Sequence, residues 1–205
     1  MNKDNEAKIE KSFQPKQWND IKTHDSWSTF KIIGEFVNGF EKMCNIGPSV
    51  AVFGSARIKE GTQYYNDTVE IGKLLTENNF GVITGGGPGL MEAANRGAHE
   101  SGGCSVGLNI RLPFEQSANE YIDRDKCIEF DYFFVRKTMF MRYAQAYIVM
   151  PGGFGTMDEL FEALTLEQTD KMVDFPIIFY SSEYWGGLID WFRNTLLAHG
   201  VISPE

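Results

Sequence analysis

The sequence predicts an α/β fold, a doubly wound parallel sheet forming a single domain. Three observations predict it. From Ser49 onward, short stretches that are apolar throughout alternate with stretches of helical periodicity. Strands that are apolar on both faces belong in a parallel sheet covered by helices on each side. Three glycine-bearing segments, FGSAR, TGGGPGLM and MPGGFGT, each end such a strand and so should face one edge of the sheet. Ligands of doubly wound sheets bind at that edge, where the strand order reverses.

The elements follow in order. Residues 1–27 are polar, with Trp18 and Trp27 as isolated anchors, and read as a loosely ordered N-terminal arm; residues 28–205 are expected to form the domain. Phe30, Ile33, Val37, Phe40 and Met43 recur at intervals of three and four, which predicts a helix stopped by Gly47-Pro48. Strands are then expected over 49–55, 80–87, 104–110, 127–133, 146–153 and 175–181. Helices are expected over 64–79, 89–102, 135–144, 156–171 and 184–200. The chain closes on Ser203-Pro204-Glu205, a good helix start with no helix after it, which reads either as a shortened end or a frayed one.

Composition narrows the function. The 205 residues suffice for one substantial core, and 42% hydrophobic with 23% charged content is ordinary for a globular protein. A net charge of −9 gives no global attraction for nucleic acid or an anionic membrane. An anionic ligand must therefore be held by local donors. Cys44, Cys104 and Cys127 are odd in number and far apart, which argues against a disulfide framework or a zinc site and for reduced thiols in a cytoplasmic setting. No metal and no cofactor is expected. The polar N-terminus lacks a signal peptide's apolar region, and no run approaches the ~20 residues that span a bilayer.

TGGGPGLM has neither the lysine of a Walker loop nor the G-x-G-x-x-G order of a dinucleotide site. Its glycines serve either tight strand-to-helix packing or the approach of a phosphate. A second loop, PGGFGT, on the same expected edge favours binding. Thr156 adds a hydroxyl that can cap the helix or meet a phosphate oxygen. Asp158 and Glu159 follow, in what the periodicity makes the first turn of a helix. Capping is the plain role for both, worth ~0.3–1 kcal/mol each. Helical geometry lets only one of the two face a ligand. Arg136 begins a helix, where a cation opposes the dipole, so it needs a carboxylate or phosphate partner. None of the three histidines is spaced to serve a nucleophile, and Ser55 has no evident base.

TGGGPGLMEAANRGA, VRKTMFMRYA and MPGGFGTMDELFE together resemble the LOG ("lonely guy") family of phosphoribohydrolases, in its longer bacterial branch. The resemblance spans roughly Ser49 to the C-terminus. It implies a Rossmann-like fold, a homodimer or higher homo-oligomer with the active site near the interface, and hydrolysis of the N-glycosidic bond of nucleoside 5′-monophosphates, of the AMP or cytokinin riboside 5′-monophosphate type. Carried over by motif position, Arg136 and Glu159 are the catalytic pair. Gly152, Gly153, Gly155 and Thr156 match the phosphate loop. Gly86, Gly87 and Met91 match the other side of the pocket, with Gly54, Ser55 and Lys137 as further substrate-binding candidates. Asp158 stands where the family often has Glu. The alternative is a non-catalytic carrier of a nucleotide or of molybdenum cofactor on the same scaffold. The label lysine decarboxylase, also attached to such sequences, fails chemically: that reaction needs pyridoxal phosphate on a Schiff-base lysine, and no lysine here sits in such a pocket.

Overall fold

Six parallel strands form one sheet in the order β4-β3-β2-β1-β5-β6. The computed structural model describes residues 18–112, 117–172 and 175–203, with side chains from Ser26 onward. The strands are β1 (Ser49–Phe53), β2 (Gly81–Thr84), β3 (Ser105–Ile110), β4 (Cys127–Phe130), β5 (Ala144–Val149) and β6 (Ile177–Phe179). Every register pair is parallel, with Ala51 opposite both Ile83 of β2 and Tyr147 of β5. The helices are α1 (Trp18–Met43), α2 (Gln63–Glu77), α3 (Leu90–Glu100), α4 (Phe133–Tyr143), α5 (Phe154–Gln168) and α6 (Ser182–Trp191), the last running into a π-helix over Phe192–Leu197.

The chain divides into two units, Met1–Val37 and Asn38–Glu205. In the first, the helix begins at Trp18, inside the stretch expected to be a loose arm; residues 1–17 lie outside those described. Of the predicted stripe, Phe30, Ile33 and Val37 lie in this unit and are exposed; so is Trp27, expected as an isolated anchor, whose ring is 6.1 Å from that of Phe30.

The second unit carries the sheet, and its strands bury both faces. On one face Val50, Val52, Val82 and Ile148 pack against Leu90, Ala93, Ala94 and Ala98 of α3 and Tyr65 of α2. The close approach of α2 and α3 depends on two glycines: a Cβ on Gly72 would meet the Ala94 carbonyl and one on Gly97 the Val69 carbonyl. On the other face Phe53 stacks edge-on with Phe140 of α4 (4.9 Å) and Tyr147 (4.8 Å). Alternation along β1 thus feeds two cores, as a sheet covered on both sides requires.

All the predicted strands and helices are present, with boundaries shifted by a few residues. Two shifts matter. Helix α4 begins at Phe133 rather than Val135, so Arg136 lies in its fourth position. Helix α5 begins at Phe154 rather than Thr156, so Asp158 and Glu159 lie in its second turn, not its first. Ser203 is described as irregular, while Pro204 and Glu205 fall outside the described residues.

Candidate active site

The strand order reverses between β1 and β5, because β2 to β4 run outward on one side of β1 while β5 and β6 lie on the other. The segments after β1, β2 and β5 carry Gly54, Gly85–Gly87 and Gly152–Gly153, so all three glycine loops meet on the carboxyl rim. They are tied together by backbone bonds. The Ser55 N–H donates to the Pro151 carbonyl (3.0 Å), and the Leu90 N–H donates to the Ser55 carbonyl (3.0 Å). A Cβ on Gly54 would lie 2.8 Å from Leu90 Cβ, and one on Gly89, at φ +73°, 2.5 Å from the Ser55 carbonyl oxygen. Those two glycines are there for packing.

The β5 loop differs. A Cβ on Gly152 would run into the buried Thr156 hydroxyl, so Gly152 is a packing glycine too. Gly153 and Gly155 would meet nothing within 4 Å, and neither needs a positive φ. Gly153 is the N-cap of α5, and no side chain caps that helix. The first N–H groups of α5 are therefore bare, beneath glycines that the protein's own packing does not require. Asp158, expected as a cap, does not serve as one: its carboxylate is 2.8 Å from Lys137 Nζ. The loop is braced by Tyr184 of α6, whose hydroxyl donates to the Gly152 carbonyl (2.8 Å).

Arg136 of α4 reaches Glu159 of α5 across the rim, with Nη2 donating to Oε1 at 3.1 Å. The side chains are 13% and 3% exposed, so this ion pair is buried. The guanidinium sits over the rings of Phe133 (5.3 Å) and Phe140 (5.9 Å). Its Nη1 lies 3.8 Å from where a Cβ on Gly85 would be, and the Met91 sulfur lies 2.9 Å from the same point. Arg136 thus spans from the β2 loop to the α5 carboxylate. Burial pushes the Glu159 carboxyl up to about 7, against the downward pull of Arg136 and Lys137. Burial likewise pulls the Arg136 guanidinium down from its usual value, partly offset by Glu159. Two atoms of this pair, Arg136 Nε and Glu159 Oε2, are buried without a hydrogen-bond partner among the described residues. Unpaired buried polar atoms are rare in native structures and cost roughly 1–3 kcal/mol each. Of the three such side-chain atoms among the described residues, two belong to this one ion pair.

The expected site residues therefore come together, Lys137 excepted. Its ammonium is held by Asp158 and by Glu162, at 2.7 Å from the latter. A polar network that sequence reading did not find shapes the β2 loop. Thr84 Oγ1 donates to Asn95 Oδ1 (2.6 Å) and accepts from the Gly86 N–H (2.9 Å). Asn119 Nδ2 donates to the Gly86 (3.2 Å) and Gly87 (3.0 Å) carbonyls and to Asn95 Oδ1 (3.0 Å). Asn95 was legible only as a polar residue on the buried face of an apolar helix. Asn119 and Tyr184 gave no signal, since their partners are backbone carbonyls distant in sequence.

Residues 91–205 match the family described as "possible lysine decarboxylase". The chain belongs to the LOG family. A cytokinin riboside 5′-monophosphate phosphoribohydrolase of Mycobacterium tuberculosis is 34% identical over 142 residues, 66% of this chain and 72% of that one. The rice enzyme of that name, LOG, is 30% identical over 66% of this chain and 53% of its own length. Among solved structures, the molybdenum cofactor binding protein of Rippkaea orientalis aligns at TM-score 0.53 and 20% identity, covering 72% of this chain and 85% of that one. That likeness is one of fold. Membership rests on the segment that holds Arg136, the β5 glycines and Glu159. No described helix is long and apolar enough to cross a membrane, and no group of three or more His, Cys, Asp or Glu side chains among the described residues is placed to hold a metal ion.

Proposed function

We propose that the protein hydrolyses nucleoside 5′-monophosphates at the N-glycosidic bond, giving free base and ribose 5-phosphate. One observation carries this reading: a buried carboxylate with one oxygen held by arginine and the other unpaired stands one turn beyond a bare glycine helix start. The 5′-phosphate suits the uncapped N–H groups of α5 and the Thr156 hydroxyl, through local donors that a chain of net charge −9 needs. Gly86, Gly87 and Met91 line the side toward β2.

Cleavage of a ribosyl bond passes through an oxocarbenium-like state with positive charge on the sugar. Arg136 fixes Glu159 Oε1, which leaves Oε2 to face the ribose and to take a proton from the attacking water. Water adds at the anomeric carbon as the base departs with the bond's electron pair and gains a proton from solvent, which balances the one that Glu159 takes up and then releases. Titrating near 7, Glu159 is partly ionised at neutral pH, where a general base works well. The phosphate grip turns distant binding energy into orientation at the reacting carbon. AMP and cytokinin riboside 5′-monophosphates are the proposed substrate types, the second in line with the relatives' names. The setting we infer is cytoplasmic and the assembly a homodimer; the exposed Phe133, Phe134 and Phe154 beside the site support a covered face.

The test is a chromatogram. AMP, GMP, CMP and UMP are incubated with the protein, and base and ribose 5-phosphate should appear in equal amounts. A nucleotide that binds tightly and comes back intact would make the protein a carrier rather than a hydrolase.

A further inference from the structure

Lys137 follows Arg136 on α4 and was expected to meet substrate. Its ammonium instead bridges Asp158 Oδ1 (2.8 Å) and Glu162 Oε2 (2.7 Å), with the lysine side chain 14% exposed. These acids are four residues apart on α5, one turn of a helix, and Glu159 lies beside them. Three carboxylates within five residues repel one another, and like charges at helical neighbour spacing are destabilising. Adjacent positions on α4 point about 100° apart. Arg136 thus turns inward to Glu159 while Lys137 closes the outer side of the same seam.

We propose that Lys137 is a positioning residue for the hydrolysis: it contacts no substrate, but locks Asp158 and Glu162 to α4 and cancels their charge beside Glu159. The role rests on the phosphoribohydrolase reading, while the charge arrangement does not. The groups that face Glu159 are Arg136 and Lys137 from α4, Asp158 and Glu162 from α5, and the buried, neutral phenol of Tyr147 from β5. With Glu159 ionised, two cations stand against three anions; without Lys137, one stands against three. Asp158 and Glu162 both favour the protonated form of Glu159, and Lys137 opposes it.

The experiment uses Lys137→Met, with two readouts. One is the ionisation of Glu159, followed by carbon NMR of glutamate-labelled protein and assigned with Glu159→Gln. The other is the pH dependence of kcat/KM on a nucleoside monophosphate. In Lys137→Met the Glu159 midpoint and the acid limb should both move to higher pH by about one unit, the size expected for losing a nearby opposite charge. At neutral pH the ionised fraction then falls from about a half to about a tenth, a roughly fivefold loss of rate with KM little changed. Adding Glu162→Gln to Lys137→Met should bring the limb back down. Glu162→Gln alone keeps the lysine and should move it below the wild-type position, which tests the idea even if Lys137→Met folds poorly. A KM that rises tenfold while the limb and the NMR midpoint stay fixed would make Lys137 a substrate ligand and overturn the proposal. If the wild type releases no base from any monophosphate, the hydrolase reading falls, and the NMR midpoints still decide the charge arrangement.

Discussion

Glu159→Gln should separate stability from activity in a pH-dependent way. The Glu159 carboxyl titrates at about 7 in the fold against 4.5 ordinarily, so 7 − 4.5 gives a gap of about 2.5 pH units. At ~1.36 kcal/mol per unit this is about 3 kcal/mol. The sign follows from which state holds the proton more tightly. The folded pKa is raised, so the contribution to stability is complete below pH 4.5 and is lost as pH rises through 7. With a side chain 3% exposed, solvent screening takes little from the figure. Glutamine does not titrate, and its carbonyl oxygen still accepts from Arg136. Urea unfolding of both proteins from pH 4.5 to 8, read by tryptophan fluorescence, should show the wild type losing about 3 kcal/mol relative to the variant. At pH 8, where Glu159 is ionised, the variant should have lost about 1,000-fold in kcat. A stability difference that stays flat with pH would mean that burial does not strain Glu159. A variant retaining a tenth of the activity would remove Glu159 from the chemistry.

Three further outcomes follow from the site. Arg136→Met leaves the Glu159 carboxylate buried and alone, so unfolding free energy at pH 8 should drop by about 3–5 kcal/mol and the acid limb of kcat/KM should move to higher pH; urea unfolding and a pH–rate profile check both. Gly155→Ala adds a Cβ that meets no protein atom; it should leave stability within about 1 kcal/mol of wild type but raise KM for AMP about tenfold or more, whereas Gly152→Ala should destabilise through its clash with Thr156. Asn119→Ala strips a donor from the Gly86 and Gly87 carbonyls; a loss of about 1–3 kcal/mol with a raised KM is expected from thermal unfolding and steady-state kinetics.

The fold was legible because its signal is local. Val50–Phe53, Val82–Ile83 and Tyr147–Val149 are apolar on both faces, and alternating with helices such strands belong in a doubly covered parallel sheet. The loops were legible because glycine clusters at strand ends have few explanations. What each glycine does was not: Gly54, Gly89 and Gly152 are demanded by Leu90, Ser55 and Thr156, while Gly153 and Gly155 stand in open space. That distinction depends on neighbours in other segments. The roles of Asp158 and Lys137 shifted for one reason. Phe154 and Gly155, poor helix residues by propensity, nevertheless open α5, since an uncapped start on a glycine loop is set by the sheet edge and not by the helix's own sequence. Two residues of displacement moved Asp158 out of capping range and onto Lys137.

That displacement also accounts for the chemistry. A helix that began at Thr156 would bring Asp158 and Glu159 beside its own bare amides, where the dipole favours their ionised forms and where they would compete with a phosphate for the same donors. Beginning at Phe154, α5 keeps its first turn free for an external anion and carries Glu159 one turn deeper, into the seam against α4. There the dipole's help is weaker, burial dominates, and the carboxyl rises to about 7. In the proposed complex, a phosphate dianion at the helix start would press that value higher still, and the two cations from α4 would oppose it. On the proposed reading, anion capture and carboxylate tuning draw on the same short stretch of backbone, and the spacing from Gly153 to Glu159 would let both operate together.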